Sequence, residues 1–253
     1  MELKLSNEDC LVAMKELETK SIDMILCDLP YGTTQNEWDT LIPFDFLWKE
    51  YNRVIKDNGA IVLFSQMPFT AQLVMSNPHM FRYEWIIEKT KATGFLNAKK
   101  MPMKSHENVC VFYKNLCKYN PQKTEGHSPS HCYIKHTEDG SCYGKTKLGI
   151  SGGGNTDRYP RDVLQFKWDT QKSKLHPTQK PLELCEYFIK TYTDKGDLVL
   201  DNCMGSGTTG VACYNLERNF IGMEKNEEYF SKAVDRLNKT ISPWDRNTKI
   251  EIF

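Results

Sequence analysis

Short apolar runs alternate with amphipathic segments along most of the chain. The apolar runs are bounded by Gly, Pro, Asn or Asp and have the length of buried strands. The segments between them repeat their apolar residues at helical spacing. Strands are predicted at 3–5, 22–27, 60–64, 83–88, 108–113, 196–201 and 219–224, and helices at 11–17, 44–55, 68–75, 182–192, from about 211, and at 227–238. This alternation predicts an α/β fold with a mostly parallel, doubly wound, Rossmann-like sheet.

The ends of two predicted helices carry recognisable signals. Asn7 and Asp9 precede the first helix, and either side chain can act as its N-cap. Asp57-Asn58-Gly59 follows the helix at 44–55, and Gly59 suits a left-handed C-cap. We expect a loop at the rim of the sheet over 89–104, and a polar tail after 238.

Periodicity fades between Lys114 and about Lys174, where Tyr, His, Lys, Gly and Pro dominate. A long irregular segment inside a compact domain is usually a functional insertion. We therefore divide the chain into an ordered part at 1–113, an insertion at 114–174 and a second ordered part at 175–253. Six Cys and His residues of this insertion could suggest zinc, but none of their spacings matches a paired-ligand knuckle, so we expect no metal. They are Cys117, His127, His131, Cys132, His136 and Cys142.

The net charge of zero hides a polarity along the chain. Residues 1–60 contain 6 Lys and Arg against 12 Asp and Glu, whereas residues 89–180 contain 17 against 7. A basic middle with interleaved aromatic residues favours a polyanion-binding face over a merely solvated lysine-rich surface. The nine cysteines never form C-x-x-C, and the N-terminus has no apolar signal region. These features favour reduced thiols in a cytoplasmic protein without a membrane span.

The first candidate site is Asp28-Leu29-Pro30-Tyr31, directly after the apolar run at 22–27. In open α/β sheets, ligands bind beyond the carboxyl ends of strands. The carboxylate accepts hydrogen bonds, the proline stiffens the turn, and the tyrosine offers a flat face for stacking. The motif suits a planar ring that bears an amino group. An Asp-x-Pro turn with a partly buried tyrosine is the structural alternative.

The second candidate site combines Asp201, the Gly205-Ser206-Gly207 turn and Glu224. A strand, an acid, a glycine turn, a helix and a second strand ending in an acid form the mononucleotide half of a Rossmann-like fold. Glu224 is suited to bind ribose hydroxyls. Gly210 completes G-x-G-x-x-G from Gly205, which keeps NAD as a formal competitor.

Together with His176-Pro177-Thr178-Gln179-Lys180-Pro181, these two motifs resemble, in their order, the β-class DNA amino-methyltransferases. The resemblance covers most of the chain outside 114–174. It implies a catalytic half at 1–113, a target-recognition insertion at 114–174 and a cofactor-binding half at 175–253. Leu29 stands where the family commonly has Pro, and Asn202-Cys203 replaces its usual Pro-Phe pair; these departures affect stiffness and cofactor packing.

The resemblance implies S-adenosylmethionine as cofactor. Asp201 and the turn would hold its methionine part, with His176, Thr178 and Lys180 near its carboxylate. Glu224 would bind the ribose, and Asp9 and Cys10 would flank the adenine. The implied cofactor-binding set is Asp9, Cys10, Asp28, His176, Thr178, Lys180, Asp201, Gly205, Ser206, Gly207, Thr208 and Glu224. The implied catalytic set is Asp28, Leu29, Pro30 and Tyr31.

The implied activity is methylation of adenine N6 in double-stranded DNA, because family members with Asp at the first catalytic position usually act on adenine. Cytosine-N4 methylation, an inactive DNA-binding homologue, and methylation of RNA or of a protein amide are the alternatives. A homodimer and a cognate restriction endonuclease are further possible partners. Expected DNA contacts are Lys89, Lys91, Lys99, Lys100, Arg158 and Arg161.

Overall fold

The computed structural model describes residues 1–32, 39–134, 149–167 and 179–253. It contains two compact units, one made of Met1–Asn120 with Asp162–Phe253, the other of Pro121–Arg161. The smaller unit lies inside the predicted insertion and is shorter than 114–174. Several residues named above lie outside the described residues, namely His136, Cys142, His176 and Thr178. No helix among the described residues is long and apolar enough to cross a membrane.

Nine of the described strands form one sheet in the larger unit, in the order β11-β1-β10-β9-β2-β3-β5-β4-β8. Their bounds are β1 Glu2–Ser6, β2 Ile22–Cys27, β3 Ile55–Ser65, β4 Phe81–Thr93, β5 Lys104–Phe112, β8 Val163–Phe166, β9 Leu198–Asp201, β10 Asn219–Met223 and β11 Lys249–Ile252. In the smaller unit, β6 Tyr133–Ile134 pairs antiparallel with β7 Ser151–Gly152. Among the described strands of the sheet, only β5 runs against its neighbours, so the mostly parallel prediction is confirmed.

Helices cover both faces of this sheet, as a doubly wound fold requires. Their bounds are α1 Cys10–Ala13, α2 Phe44–Val54, α3 Phe69–Ser76, α4 Leu182–Tyr192, α5 Thr208–Asn215 and α6 Glu227–Thr240. One core cluster joins the sheet to α4, α5 and α6, and the other joins it to α1, α2 and α3. The 22–27 strand lies between them, with five of its six residues buried, because it packs against helices on both sides.

The local structure differs from these predictions at several places. The tail after 238 contains β11, an edge strand whose Lys-Ile-Glu-Ile sequence is too short to stand out by pattern. The segment expected to be irregular contains β8, which pairs parallel with β4. The 89–104 segment is not simply a loop, since β4 continues to Thr93 and β5 begins at Lys104. The α5 helix begins at Thr208, three residues earlier than expected.

Gly59 is not a helix C-cap. The α2 helix ends at Val54 with an extended Ile55, and Gly59 lies within β3. A Cβ atom at Gly59 would lie 2.9 Å from the carbonyl oxygen of Asp23 and 2.7 Å from the Ile55 side chain. Close packing against β2, not a left-handed turn, is therefore the reason for glycine there.

Candidate active site

Four acidic residues lie at or just beyond the carboxyl ends of four adjacent strands. The sheet order β1-β10-β9-β2 places Asp9, Glu224, Asp201 and Asp28 side by side along one edge. In parallel α/β sheets this edge is where ligands bind. The two candidate sites of the sequence are therefore neighbours, since β2 pairs directly with β9.

Each carboxylate oxygen of Asp28 accepts a hydrogen bond, one from its own turn and one from the segment before α4. The Tyr31 hydroxyl donates to Oδ1 at 2.6 Å, and Lys180 Nζ donates to Oδ2 at 2.5 Å. The Asp28 side chain is 25% exposed, so a ligand can still reach it. The arrangement orients an acceptor at the end of β2 without removing it from solvent.

Lys180 belongs to a chain of buried charges. Its Nζ lies 3.5 Å from Oε2 of Glu107 on β5, whose Oε1 lies 2.5 Å from Nζ of Lys89 on β4. Burial opposes the charge on Lys180, but Asp28 and Glu107 outweigh burial and raise the pKa of Lys180 to about 12. Burial likewise raises the pKa of Glu107, yet Lys180 and Lys89 hold that pKa below its usual value. Lys180 is therefore a permanent cation beside Asp28.

Tyr31 is supported by an aromatic side chain that sequence reasoning missed. Its ring stacks on Phe69 of α3 with the centroids 4.9 Å apart and an interplanar angle of 25°. Burial, followed by the nearby Asp28 carboxylate, raises the pKa of the Tyr31 hydroxyl well above its usual value, so this hydroxyl stays a donor. Leu29, which stands where the resembling family commonly has Pro, is buried in the same core cluster as Phe69. Its apolar packing supports the turn.

The buried Asp201 carboxylate accepts hydrogen bonds from residues on both sides of the glycine turn. Its oxygens accept from the Thr209 hydroxyl at 2.6 Å and from the Cys203 backbone N–H at 3.2 Å. Burial raises the pKa of Asp201 to about 7, although these hydrogen bonds favour the carboxylate. Asn202, next to it, accepts from the buried Tyr51 hydroxyl at 2.6 Å. Asn202 and Cys203, which stand where the resembling family has Pro-Phe, are therefore held by hydrogen bonds to Tyr51 and Asp201.

Glu224 accepts hydrogen bonds from the backbone of the glycine turn and from the residue before α6. The Gly205 N–H donates to Oε2 of Glu224 at 3.0 Å, and the Asn226 N–H donates to Oε1 at 2.8 Å. Burial raises the pKa of Glu224 against these two donors. Gly207 has a φ of 73°, and a Cβ there would lie 3.1 Å from the Ala233 Cβ, so a glycine is needed at this position.

Arg236 of α6 is a functional candidate that the sequence did not reveal. Its guanidinium donates to the Thr208 hydroxyl at 2.8 Å and to the Ser206 carbonyl at 3.1 Å. It thereby braces the start of α5. The Ser206 hydroxyl also reaches Gln179, next to Lys180, at 3.3 Å.

At the other end of the row, Asp9 caps α1 through the Leu11 N–H at 3.0 Å and pairs with Lys225 at 3.1 Å. The expected N-cap is confirmed for Asp9. Cys10 is buried directly behind it. Asn7 instead donates to the Glu224 carbonyl oxygen at 2.8 Å, which ties β1 to β10.

The residues expected to contact DNA have different surroundings. Lys91, Lys99 and Lys100 are exposed, whereas the Lys89 side chain is 7% exposed in its ion pair with Glu107. In the smaller unit, the Arg158 guanidinium donates to the carbonyls of Asn155, Asp157 and Ser128, and Arg161 is exposed. Lys89 and Arg158 therefore have structural partners. Within the described ranges, no group of three or more His, Cys, Asp or Glu residues could hold a metal ion.

Comparison with known proteins extends over almost the whole chain. It is 28% identical to the type II methyltransferase M.HpaI of Haemophilus parainfluenzae, over 97% of this chain and 77% of that protein. It is 27% identical to the DNA adenine methyltransferase YhdJ of Escherichia coli strain K12, over 91% and 81% of the two chains.

Solved structures agree with this similarity. The M1.HpyAVI–SAM complex superimposes with a TM-score of 0.64 at 26% identity, covering 93% of this chain and 99% of that one. The cytosine-N4-specific PvuII DNA methyltransferase gives a TM-score of 0.69 at 17% identity, covering 98% and 89%, and shows the shared fold. The family model described as DNA methylase matches residues 22–235, which include Asp28, Lys180, Asp201 and Glu224. The chain therefore belongs to the DNA methylase family.

Proposed function

We propose that this protein transfers a methyl group from S-adenosylmethionine to N6 of an adenine flipped out of double-stranded DNA. The observation that supports this reaction best is the oriented Asp28 carboxylate beside the glycine turn of the neighbouring strand. Asp28 is the acceptor for the amine, and the turn with Glu224 is the place for the methyl donor. The relatives named as DNA adenine and type II methyltransferases support the same substrate.

The residues present fit S-adenosylmethionine. Glu224 is a partly buried acid whose pKa is raised by burial, so its carboxylate gains from further donors such as a ribose diol. Its oxygens accept the backbone N–H groups of Gly205 and Asn226, and a carboxylate oxygen can accept more than one hydrogen bond. Asp201 and the turn from Gly205 to Thr208 would hold the methionine part, with Asp9 and Cys10 near the adenine. We assign Lys180 to Asp28, its ion-pair partner, and not to the cofactor carboxylate.

The target base has to leave the duplex before it reaches Asp28. Flipping costs a few kcal/mol of unstacking and unpairing, and stacking on an aromatic ring returns about 1–3 kcal/mol. One face of Tyr31 is taken by Phe69, so the other serves the base. The stack also fixes the plane of the purine, which brings its amino group toward the end of β2.

Asp28 and the Leu29 carbonyl then accept the two N6 hydrogens. This draws the nitrogen toward tetrahedral geometry and localises its lone pair, which is otherwise delocalised into the ring. This lone pair attacks the sulfonium methyl group that bound S-adenosylmethionine would supply, so the N–C bond forms as the S–C bond breaks and the thioether S-adenosylhomocysteine leaves. Asp28 stabilises the positive charge that develops on N6 and accepts the proton that N6 loses. Lys180 keeps the carboxylate oriented throughout.

Asp28→Asn tests the proposal, with Asp235→Asn on the exposed side of α6 as its control. We expect the wild type and the control to produce N6-methyladenine in DNA, measured by mass spectrometry of digested nucleosides. Asp28→Asn should bind S-adenosylmethionine in calorimetry and transfer no methyl group. N4-methylcytosine as the product, or near-normal turnover of Asp28→Asn, contradicts the proposal.

We also propose that the protein is cytoplasmic, forms a homodimer and has a cognate restriction endonuclease. They are tested by cell fractionation, by sedimentation of the purified chain, and by challenge of methylated DNA with candidate endonucleases. The DNA sequence that the enzyme recognises follows from sequencing treated DNA with a readout of methylated positions.

A further inference from the structure

A two-stranded arm extends beyond the carboxyl edge of the sheet. Ser65, the last residue of β3, pairs with Asn108 of β5, but β4 continues to Thr93 and β5 starts at Lys104. Residues 91–104, named here the basic arm, therefore project past the strand next to β2. This is the edge at which Asp28 lies.

The surface of the basic arm combines cations with bare apolar side chains. Every residue of the arm is exposed, and it contains four lysines and no acid, namely Lys91, Lys99, Lys100 and Lys104. At its tip Phe95 is 78% exposed and Leu96 is 97% exposed. Among the described residues, Phe95 and Leu96 leave most of their side chains outside the packed core, and adjacent exposed apolar groups of this kind mark interaction sites.

The tip is ordered by its own backbone. Gly94 turns the chain with a φ of 89°, and a single 3-10 turn runs over Phe95–Asn97. The Asn97 N–H donates to the Gly94 carbonyl at 3.0 Å, and the Lys100 N–H donates to the Asn97 carbonyl at 2.8 Å. These bonds present Phe95 and Leu96 outward on a formed turn.

The base of the arm is connected to the candidate active site. Lys89, two residues before the arm, lies 2.5 Å from Glu107, which lies 3.5 Å from Lys180. Lys180 in turn lies 2.5 Å from Asp28. The arm therefore starts from the same network of charges that orients the proposed acceptor.

We propose that Phe95 and Leu96 form a wedge that enters the DNA beside the extruded adenine while the arm lysines bind the flanking phosphates. This inference rests on the proposed function and assigns an element to base extrusion. Apolar side chains inserted between base steps partly unstack them, and lysines without acids complement a phosphate backbone. A symmetric contact between the arms of two copies fits poorly, because it would bring lysines against lysines.

Two double variants separate the wedge from the cations. One carries Phe95→Ala with Leu96→Ala, the other Lys99→Ala with Lys100→Ala. Met75→Ala is the matched control, because Met75 is 72% exposed near the end of α3, which leads to the start of β4 at the opposite edge of the sheet. The probe is a duplex with the methylated sequence found by sequencing treated DNA, and 2-aminopurine at the target position reports extrusion by its fluorescence.

We expect the wedge variant to lose most of the fluorescence increase and about tenfold or more in kcat/KM, with wild-type cofactor affinity. Its salt dependence of DNA binding should match that of the wild type, because it keeps every cation. The lysine variant should lower the slope of log K against log salt by about 0.9 for each phosphate that it no longer neutralises. Met75→Ala should behave as the wild type in all three measurements.

The inference is overturned if the wild type extrudes and methylates adenine and the wedge variant does so equally well. It is also overturned if the wedge variant changes the oligomeric state in sedimentation without DNA, since the tip would then be an interface between copies. A wild type that methylates no DNA instead refutes the proposed function. Because the tip residues are exposed, the wedge variant should unfold at the wild-type temperature, which separates lost extrusion from lost folding.

Discussion

The Lys180 ammonium lies 2.5 Å from Oδ2 of Asp28, although 152 residues separate the two along the chain. The pair joins the segment before α4 to the end of β2. An ammonium at this distance stabilises the carboxylate and fixes the direction of its free lone pairs. The orientation of Asp28 is therefore set in part by a residue far along the chain.

Lys180→Met should reduce kcat at saturating cofactor by about 10²–10³-fold, the cost of losing one oriented electrostatic partner. The affinity for S-adenosylmethionine should stay within about threefold of the wild type, because Lys180 contacts Asp28 and Glu107. Radioactive methyl transfer and calorimetry measure the two quantities. Lys190→Met, on the exposed side of α4, is the control. A variant with normal kcat and much weaker cofactor binding would show instead that Lys180 holds the cofactor carboxylate.

The two roles of Tyr31 can be separated. Tyr31→Phe keeps the ring on Phe69 and removes only the hydroxyl that donates to Asp28, so kcat/KM should fall by about 10–100-fold, as for a hydrogen bond of about 1.5–3 kcal/mol to a charged group. Tyr31→Ala also removes the stacking surface and should cost up to about 100-fold more, from 1–3 kcal/mol of lost stacking. Steady-state kinetics on unmethylated DNA compares them. Equal losses in both variants would mean that the hydroxyl, and not the ring, does the work.

Much of this site could be predicted from the sequence because its residues directly follow recognisable strands. Asp28, Asp201 and Glu224 each end an apolar run, and a parallel sheet collects such ends at one edge. The ion pair of Lys180 with Asp28, the support of Tyr31 by Phe69 and the brace from Arg236 could not be predicted. Each joins elements far apart in the chain, and no local pattern reports such a contact.

The errors have a related cause. The pattern of Asp57-Asn58-Gly59 matches a helix stop, but Gly59 is required by close packing on the Asp23 carbonyl of a neighbouring strand. Lys89 looked like a surface cation because its neighbours in the sequence are basic. Its partner, Glu107, faces it only because β4 and β5 pair antiparallel. In both cases, tertiary packing outweighs a valid local signal.

Glu107→Gln should destabilise the fold. It removes the anion between Lys89 and Lys180, and breaking a buried ion pair by losing one partner costs about 3–5 kcal/mol. Adding Lys89→Met should recover part of this loss, since it removes a cation left without its partner. Urea unfolding of the single and double variants measures both, with Glu125→Gln on the exposed surface as control. Strictly additive effects would contradict a direct interaction between Glu107 and Lys89.

Glu224→Gln should weaken S-adenosylmethionine binding by about 10–100-fold. A hydrogen bond to a charged carboxylate contributes about 1.5–3 kcal/mol, against about 0.5–1.5 kcal/mol for one to a neutral amide, and a ribose diol would make two such bonds. Part of the loss will come from the turn, because the Gly205 N–H donates to the same carboxylate. Calorimetry measures the dissociation constant, and Glu227→Gln, exposed in the first turn of α6, is the control. An unchanged dissociation constant would exclude Glu224 from the cofactor site.

The buried acid at the end of β9 should leave a signature in the pH dependence of stability. The pKa of Asp201 is raised to about 7 in the folded protein, against its ordinary value of 3.8. Between these values the folded chain retains a proton that the unfolded chain has released. The contribution of Asp201 to the free energy of unfolding is therefore complete below about pH 4. It falls by about 1.4 kcal/mol per pH unit as the pH rises toward 7, and does not change further above that.

Asp201→Asn cannot titrate, so the difference in unfolding free energy between wild type and variant should carry this slope. The difference cancels the contributions of the other carboxyl groups, which titrate in both proteins. Relative to the wild type, the variant should therefore have its lowest free energy of unfolding at pH 4–5, and the difference should shrink toward pH 7–8. Part of the variant's loss of stability should not depend on pH. It comes from the amide, because the NH₂ group must face either the Thr209 hydroxyl or the Cys203 N–H. A difference that is flat from pH 4 to pH 8 would mean that Asp201 stays ionised. In that case the hydrogen bonds from Thr209 and Cys203 outweigh burial at the start of the glycine turn.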